Sequence, residues 1–267
     1  MSFAMLRKSL MLLLAAIIPV GLLSFIPLQN REKKKYFDTG ERVEYRIHYG
    51  FINAAEARVD IAKNLSQVNG RPCYRINVFG RTTGAFDVFT KVRDTWRSFV
   101  DTTTLEPHQF YRNIRENNYR KEETTFFDKR NNKATVKTKD TTRVFNVPYN
   151  VHDIISGYYF LRTIDFHGKN EGDIVEVPIF LTDEVTKMRV KYAGKEVLKT
   201  KYGRIKVFKL HPLMPNNKLF KGENSIRIWV SDDENKVPIK IEVDLFIGAL
   251  AMDIKHYSGL QTEPVWF

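Results

Sequence analysis

The chain carries a single cysteine, Cys73, in 267 residues. No intramolecular disulfide can form, and no thiolate-rich zinc site can be assembled. Cys73 itself reads as a small buried strand residue. The six histidines, His48, His108, His152, His167, His211 and His256, show no metal-ligand spacing. A phosphate-cradling glycine loop, a dinucleotide fingerprint and a G-x-S-x-G elbow are all missing. Asp232, Asp233, Glu234 and Asn235 gather oxygen atoms, but without the spacing of a calcium loop. These absences favour a non-catalytic protein, and no cofactor is expected. Residues 38–258 hold no low-complexity linker and no internal repeat, which makes them a single domain in the simplest reading, with two β half-domains joined by a helix as the alternative.

The chain has only one long apolar run. Arg7 and Lys8 precede it, Leu10 to Leu23 form its body, and Phe25, Ile26 and Leu28 extend it. Residues 1–30 are therefore expected to be a signal peptide or an N-terminal anchor, with membrane association through residues 9–28 if it is not cleaved. No cysteine follows the run to take a lipid. Residues 31–37 read as a basic linker and 259–267 as a C-terminal tail. Export to the periplasm or cell envelope is the expected address, and a cysteine-poor composition is compatible with it.

The formal charge is +12. Such an excess favours anionic surfaces, but the lysines are scattered and read as the solvated face of many strands. Tyr111, Arg112, Arg115, Tyr119 and Arg120 would suit a single-stranded nucleic acid. Export argues against that partner, and none is expected.

What the sequence holds in abundance is alternation. Val43, Tyr45, Ile47 and Tyr49 share one face, with Arg42, Glu44, Arg46 and His48 on the other. Asn69-Gly70 and Asn117-Asn118 signal hairpins. Phe86 to Val100 reads as one long strand, and Pro178 places Ile174 to Leu181 at an edge. Against roughly a dozen such strands stands one expected helix, Val151 to Phe166, capped by Asn150 with Asp153 behind it and stopped at Gly168. It is apolar most of the way round, so other structure must wrap it. Gly157 within it reads as a place where a strand comes close. The expected fold is mainly β: an antiparallel meander forming a curved sheet, half-barrel or barrel around one central helix.

Three stretches resemble a known family. Gly40 to Gly50 (GERVEYRIHYG) followed by Phe51 to Ala57, the helix segment Tyr158-Tyr-Phe-Leu-Arg162, and Ile228 to Asp233 running into Val237 to Ile241 resemble exported bacterial proteins of domain of unknown function 3108. The resemblance implies an address and a fold more than an activity. The closing hairpin also resembles, more weakly, that of periplasmic lipoprotein carriers, which hold acyl chains against a helix-covered apolar face.

Two expectations about partners follow: a lipid or other apolar ligand held between sheet and helix, or an envelope protein bound as an assembly factor. An enzyme acting on a glycan or lipid ranks behind both. Candidate ligand-binding residues are Asp94, Trp96, Asp153, Tyr158, Arg162 and Asp232. Asp94 is expected to pair with Arg81 or Arg93, and Asp153 with Arg162, because buried ions persist only when paired.

Overall fold

A computed structural model describes residues 35–213, 224–246 and 248–267. The expected signal or anchor, the first part of the linker and most of the loop after His211 lie outside the described residues.

The chain runs β1 (Arg42–Tyr49), β2 (Ile52–Ile61), β3 (Ser66–Val68), β4 (Arg71–Thr82), α1 (Gly84–Phe89), β5 (Arg93–Asp101), β6 (Pro107–Glu116), β7 (Tyr119–Asp128), β8 (Lys133–Lys137) and β9 (Thr142–Asn146). It continues through α2 (Ile154–Leu161), β10 (Ile174–Leu181), β11 (Glu184–Thr200), β12 (Gly203–Pro212), β13 (Ile226–Ser231), β14 (Pro238–Asp244) and β15 (Ala249–Ser258). All strands join one antiparallel sheet in the order β10-β11-β12-β13-β14-β15-β1-β2-β4-β5-β6-β7-β8-β9, with β3 appended to β4. A meander therefore closes on itself once, where β15 pairs with β1, and the sheet stays open between β9 and β10.

The two open edges curl towards each other. Phe145 of β9 and Phe180 of β10 have ring centroids 5.4 Å apart. Arg143 of β9 forms an ion pair with Asp183 in the β10–β11 turn. The segment entering α2 sits at this gap: His152 N–H donates to Pro178 O at 2.9 Å, and Phe180 N–H donates to His152 O at 2.8 Å. Pro178 has no N–H of its own, which is tolerated because β10 is an edge strand.

Two expectations are corrected. Phe86 to Val100 is not one strand: Gly84 adopts φ +56°, α1 forms, and β5 begins at Arg93. Asp87 holds the break together, accepting from Thr82 Oγ1 and Arg93 Nη1, both at 2.7 Å. The central helix spans only Ile154–Leu161. Its N-cap is Asp153, not Asn150. Asp153 Oδ1 accepts from the Ile155 and Ser156 N–H groups at 2.8 and 2.9 Å, while Asp153 N–H donates to Ser156 Oγ at 3.0 Å. Before it, Val151 N–H closes a turn onto Pro148 O at 3.1 Å, and His152 bridges to β10.

The helix still organises the core. Ile155, Ser156, Gly157 and Tyr159 are buried. A Cβ on Gly157 would lie 2.4 Å from Ile179 Cδ1, so β10 packs against the bare backbone as expected. Tyr159 joins Ile76, Val100, Phe110 and Val136 in one cluster. Phe37, which the sequence reading puts at the end of a linker, belongs to the same cluster and meets Tyr159 edge-on at 4.7 Å. A second cluster unites Val43, Tyr45, Val207, Ile239 and Ile254, and a third unites Phe166, Tyr192, Phe208, Leu210 and Val230. β12 serves both of these through consecutive buried residues, Val207 and Phe208.

Candidate functional site

An apolar cleft of about 180 Å³ opens between α2 and the inner face of β11–β14. From the helix side come Ile154, Tyr158, Leu161 and, just beyond, Phe166. The sheet supplies Met188, Val190, Leu210, Ile228 and Ile241. These sheet positions alternate correctly for one inner face: Leu210 pairs with Ile228, and Ile228 with Ile241. The charged groups at its wall are two cations, Arg162 and Lys236.

Arg162 is saturated with acceptors. Its Nη1 and Nη2 donate to Glu41 Oε1 and Oε2 at 2.5 and 2.8 Å, Nε to Asn235 O at 2.8 Å, and Nη2 to Tyr36 O at 3.1 Å. Tyr159 Oη donates to Glu41 Oε1 at 3.1 Å. The guanidinium also lies 5.0 Å from the Tyr159 ring centre and 5.2 Å from that of Phe37. One buried ion pair thus ties the end of α2 to the chain entering β1 and to the β13–β14 turn. Burial alone would lower the Arg162 pKa, but the carboxylate of Glu41 more than offsets it and holds the guanidinium charged. Burial pushes the Tyr158 hydroxyl well above its ordinary value.

A second polar cluster lies at the other end of the helix. Ser98 Oγ donates to Asp153 Oδ2 at 2.6 Å, and His152 Nδ1 lies 3.3 Å from Ser156 Oγ. Serine, histidine and aspartate are close, but not in the order of a nucleophile relay. The carboxylate contacts the serines and helix amides, leaving the imidazole unoriented. All four groups are buried, and none lines the cleft. Their role is to seat the helix. Lys129 Nζ reinforces it by donating to Val151 O at 2.7 Å.

This cluster makes stability depend on pH. Burial and the nearby Lys129 lower the His152 pKa to about 4 from 6.5. The folded state then binds fewer protons at this group than the unfolded chain does. Stability is fully present above pH 6.5 and drains away as pH falls towards 4, by about 3 kcal/mol. Asp153 acts oppositely, because desolvation raises its pKa above 3.8. Its contribution grows as the pH drops through that raised value. In urea titrations at stepped pH, His152→Gln should remove the loss between pH 6.5 and 4, and Asp153→Asn should steepen it.

The candidate residues therefore separate. Tyr158 and Arg162 meet at the cleft. Asp153 caps α2 and is bonded to Ser98, not to Arg162. Trp96 packs inside, edge-on to Phe110 at 6.1 Å. Asp94 accepts from the Arg115 N–H at 2.9 Å. Its expected partners are engaged elsewhere, Arg81 with Glu56 and Arg93 with Asp87. Asp232 sits in the β13–β14 turn, bound to Lys195 at 2.9 Å and His167 at 3.1 Å. A larger concavity, about 790 Å³, covers the outer face of β1, β2, β4, β5 and β6. It is open and ionic, its charges largely paired as in Arg58–Asp60 at 2.9 Å, and it offers no apolar enclosure.

Sequence reasoning missed Glu41 and the sheet half of the cleft. Parity offered the signal for Glu41, which shares the face of Val43 and Tyr45 and so must point inward. Burial also pushes the Cys73 thiol up to about 11, in keeping with an unreactive strand residue.

An open antiparallel sheet rolled about a short helix defines a β-barrel-like protein. Residues 44–255 match the family described as Protein of unknown function (DUF3108), and the chain belongs to that family. A comparison with functionally curated proteins finds no match. Among solved structures, the chain is similar to a β-barrel-like protein of domain of unknown function DUF1849 from Brucella abortus. The two share 11% identity and a TM-score of 0.53, over 84% of this chain and 99% of that one. A DUF1089 family protein from Pseudomonas aeruginosa matches at 10% identity and TM-score 0.38, over 68% of this chain and 87% of that one. Among the described residues, no helix is long and apolar enough to cross a membrane.

Proposed function

We propose that this is an exported, non-catalytic envelope protein that holds an acyl chain, or a comparable apolar group, in the cleft between α2 and β11–β14. The observation that carries the reading is the cleft's lining, aliphatic and aromatic apart from Arg162 and Lys236. Its volume of about 180 Å³ is close to that of an apolar cavity of about 150 Å³ known to stay dry and bind benzene. It suits the end of a hydrocarbon chain and is too small for a whole lipid. Each buried methylene contributes about 0.8 kcal/mol, so five or six of them would give at most about 5 kcal/mol. The basic start and apolar body of residues 1–30 support export.

The test is solvent extraction and native mass spectrometry of the full chain, purified from its expression host. A co-purifying lipid that disappears in Ile228→Trp, a variant that fills the cleft, is the expected result. A wild-type protein that carries no lipid and takes up no added fatty acid would contradict the reading.

A further inference from the structure

Three connections at one rim of the sheet expose apolar side chains that the core does not use, and a fourth, the β6–β7 turn, lies beside them. Antiparallel pairing puts them side by side. Tyr49 pairs with both Ile52 and Leu250, which places the β1–β2 turn beside the β14–β15 turn. Thr83 N–H donates to Ala54 O at 2.9 Å, which places α1 next. Asn117 N–H donates to Lys91 O, and Lys91 N–H to Asn117 Oδ1, both at 2.8 Å, which brings in the β6–β7 turn.

Along this row Phe51 is 97% exposed, Val88 82%, Phe89 81% and Phe246 63%. No residue of α1 is buried. A helix and turns that leave their largest apolar groups in water gain nothing for the fold by doing so. The cations interleaved with them are also under-used. Arg115 and Arg120 are exposed and their side chains bond only to neutral oxygens, while exposed Lys91 has Asp87 as its neighbouring carboxylate. The acids nearby are Asp87, already held by Arg93 at 2.7 Å, and Glu116.

We infer that this rim docks on an anionic lipid bilayer, with Phe51, Val88, Phe89 and Phe246 entering the head-group layer and Lys91, Arg115 and Arg120 meeting lipid phosphates. The apolar groups are tips spread over three separate connections, the β1–β2 turn, α1 and the β14–β15 turn. They suit a soft, penetrable partner better than the flat contiguous patch of a protein interface. Cations beside them match the negative surface of such a bilayer. The inference goes beyond the cleft and stands without it.

The test reads the depth of a chosen position, so it is insensitive to how residues 1–34 contribute to overall binding. Phe89→Trp and, on the opposite rim, Leu65→Trp are made in the full chain. Both sites are exposed, so the fold is not at risk. Emission above that of the parent is followed on phosphatidylglycerol vesicles containing brominated lipid. The expected result is a blue shift and loss of emission for Trp at 89 and neither for Trp at 65. Adding Lys91→Glu and Arg120→Glu should restore most of the lost emission. No quenching at 89, or equal quenching at both sites, would overturn the inference.

Discussion

Arg162→Ala will destabilise the protein by about 3–5 kcal/mol, because it leaves Glu41 charged, buried and without its cation. The Asn235 and Tyr36 carbonyls and the Tyr159 hydroxyl lose order with it. Glu41→Ala should cost a similar amount, stranding the guanidinium instead. The double replacement Glu41→Gln with Arg162→Met removes both charges and keeps the volume, so it should lie much closer to the parent than either single change. Denaturant titration of the parent, Glu41→Gln, Arg162→Met and the double variant measures the coupling. A double variant that simply sums the singles would show that the two side chains act independently and that the helix is held by its apolar contacts alone.

Phe166→Ala carries the second large effect. The ring is almost fully buried, 5.8 Å from Tyr192 and 5.5 Å from Phe208, and it also borders the cleft. Its removal should cost about 3–5 kcal/mol, from lost burial and from the cavity left behind. That cavity would merge with the cleft. A saturating apolar ligand should therefore recover more stability in the variant than in the parent, as binding to the folded state alone requires. Thermal unfolding with and without a medium-chain fatty acid measures both quantities. An unchanged melting temperature in the variant after ligand addition would detach Phe166 from the ligand site.

Much of the sheet could be read directly from the residues, because antiparallel strands buried on one face leave a period-two record. Val43, Tyr45 and Ile47 do so, and Asn69 and Asn117 reach φ +51° and +48° where hairpins were expected. Pro178 marked an edge, and Gly157 marked the close approach of β10, each through a single steric property. The reading failed where burial was not the cause. α1 buries nothing, so its Phe86-Asp-Val88 alternation imitated a strand. The helix was drawn too long because Val151 and Phe166 are buried, yet one lies in a segment bonded to β10 and the other beyond the C-cap at Arg162. Arg162 was singled out correctly as a buried charge, but its partner lies 121 positions away. Charge alone cannot choose among distant acids; only the closing pair of β15 with β1 brings Glu41 to the helix end. The cleft was illegible because its sheet wall is spread over four strands, β11 to β14, which follow α2 only after β10.

The central claim, an apolar ligand lodged between α2 and β11–β14, is tested most directly by methyl NMR of the full chain titrated with a nitroxide-labelled fatty acid. Met188 lines the cleft, whereas Met252 packs with the cluster around Val43 and Ile254. The account predicts selective broadening of the Met188 methyl signal, lost in Ile228→Trp. Equal broadening of both methyls, or of neither, would contradict it.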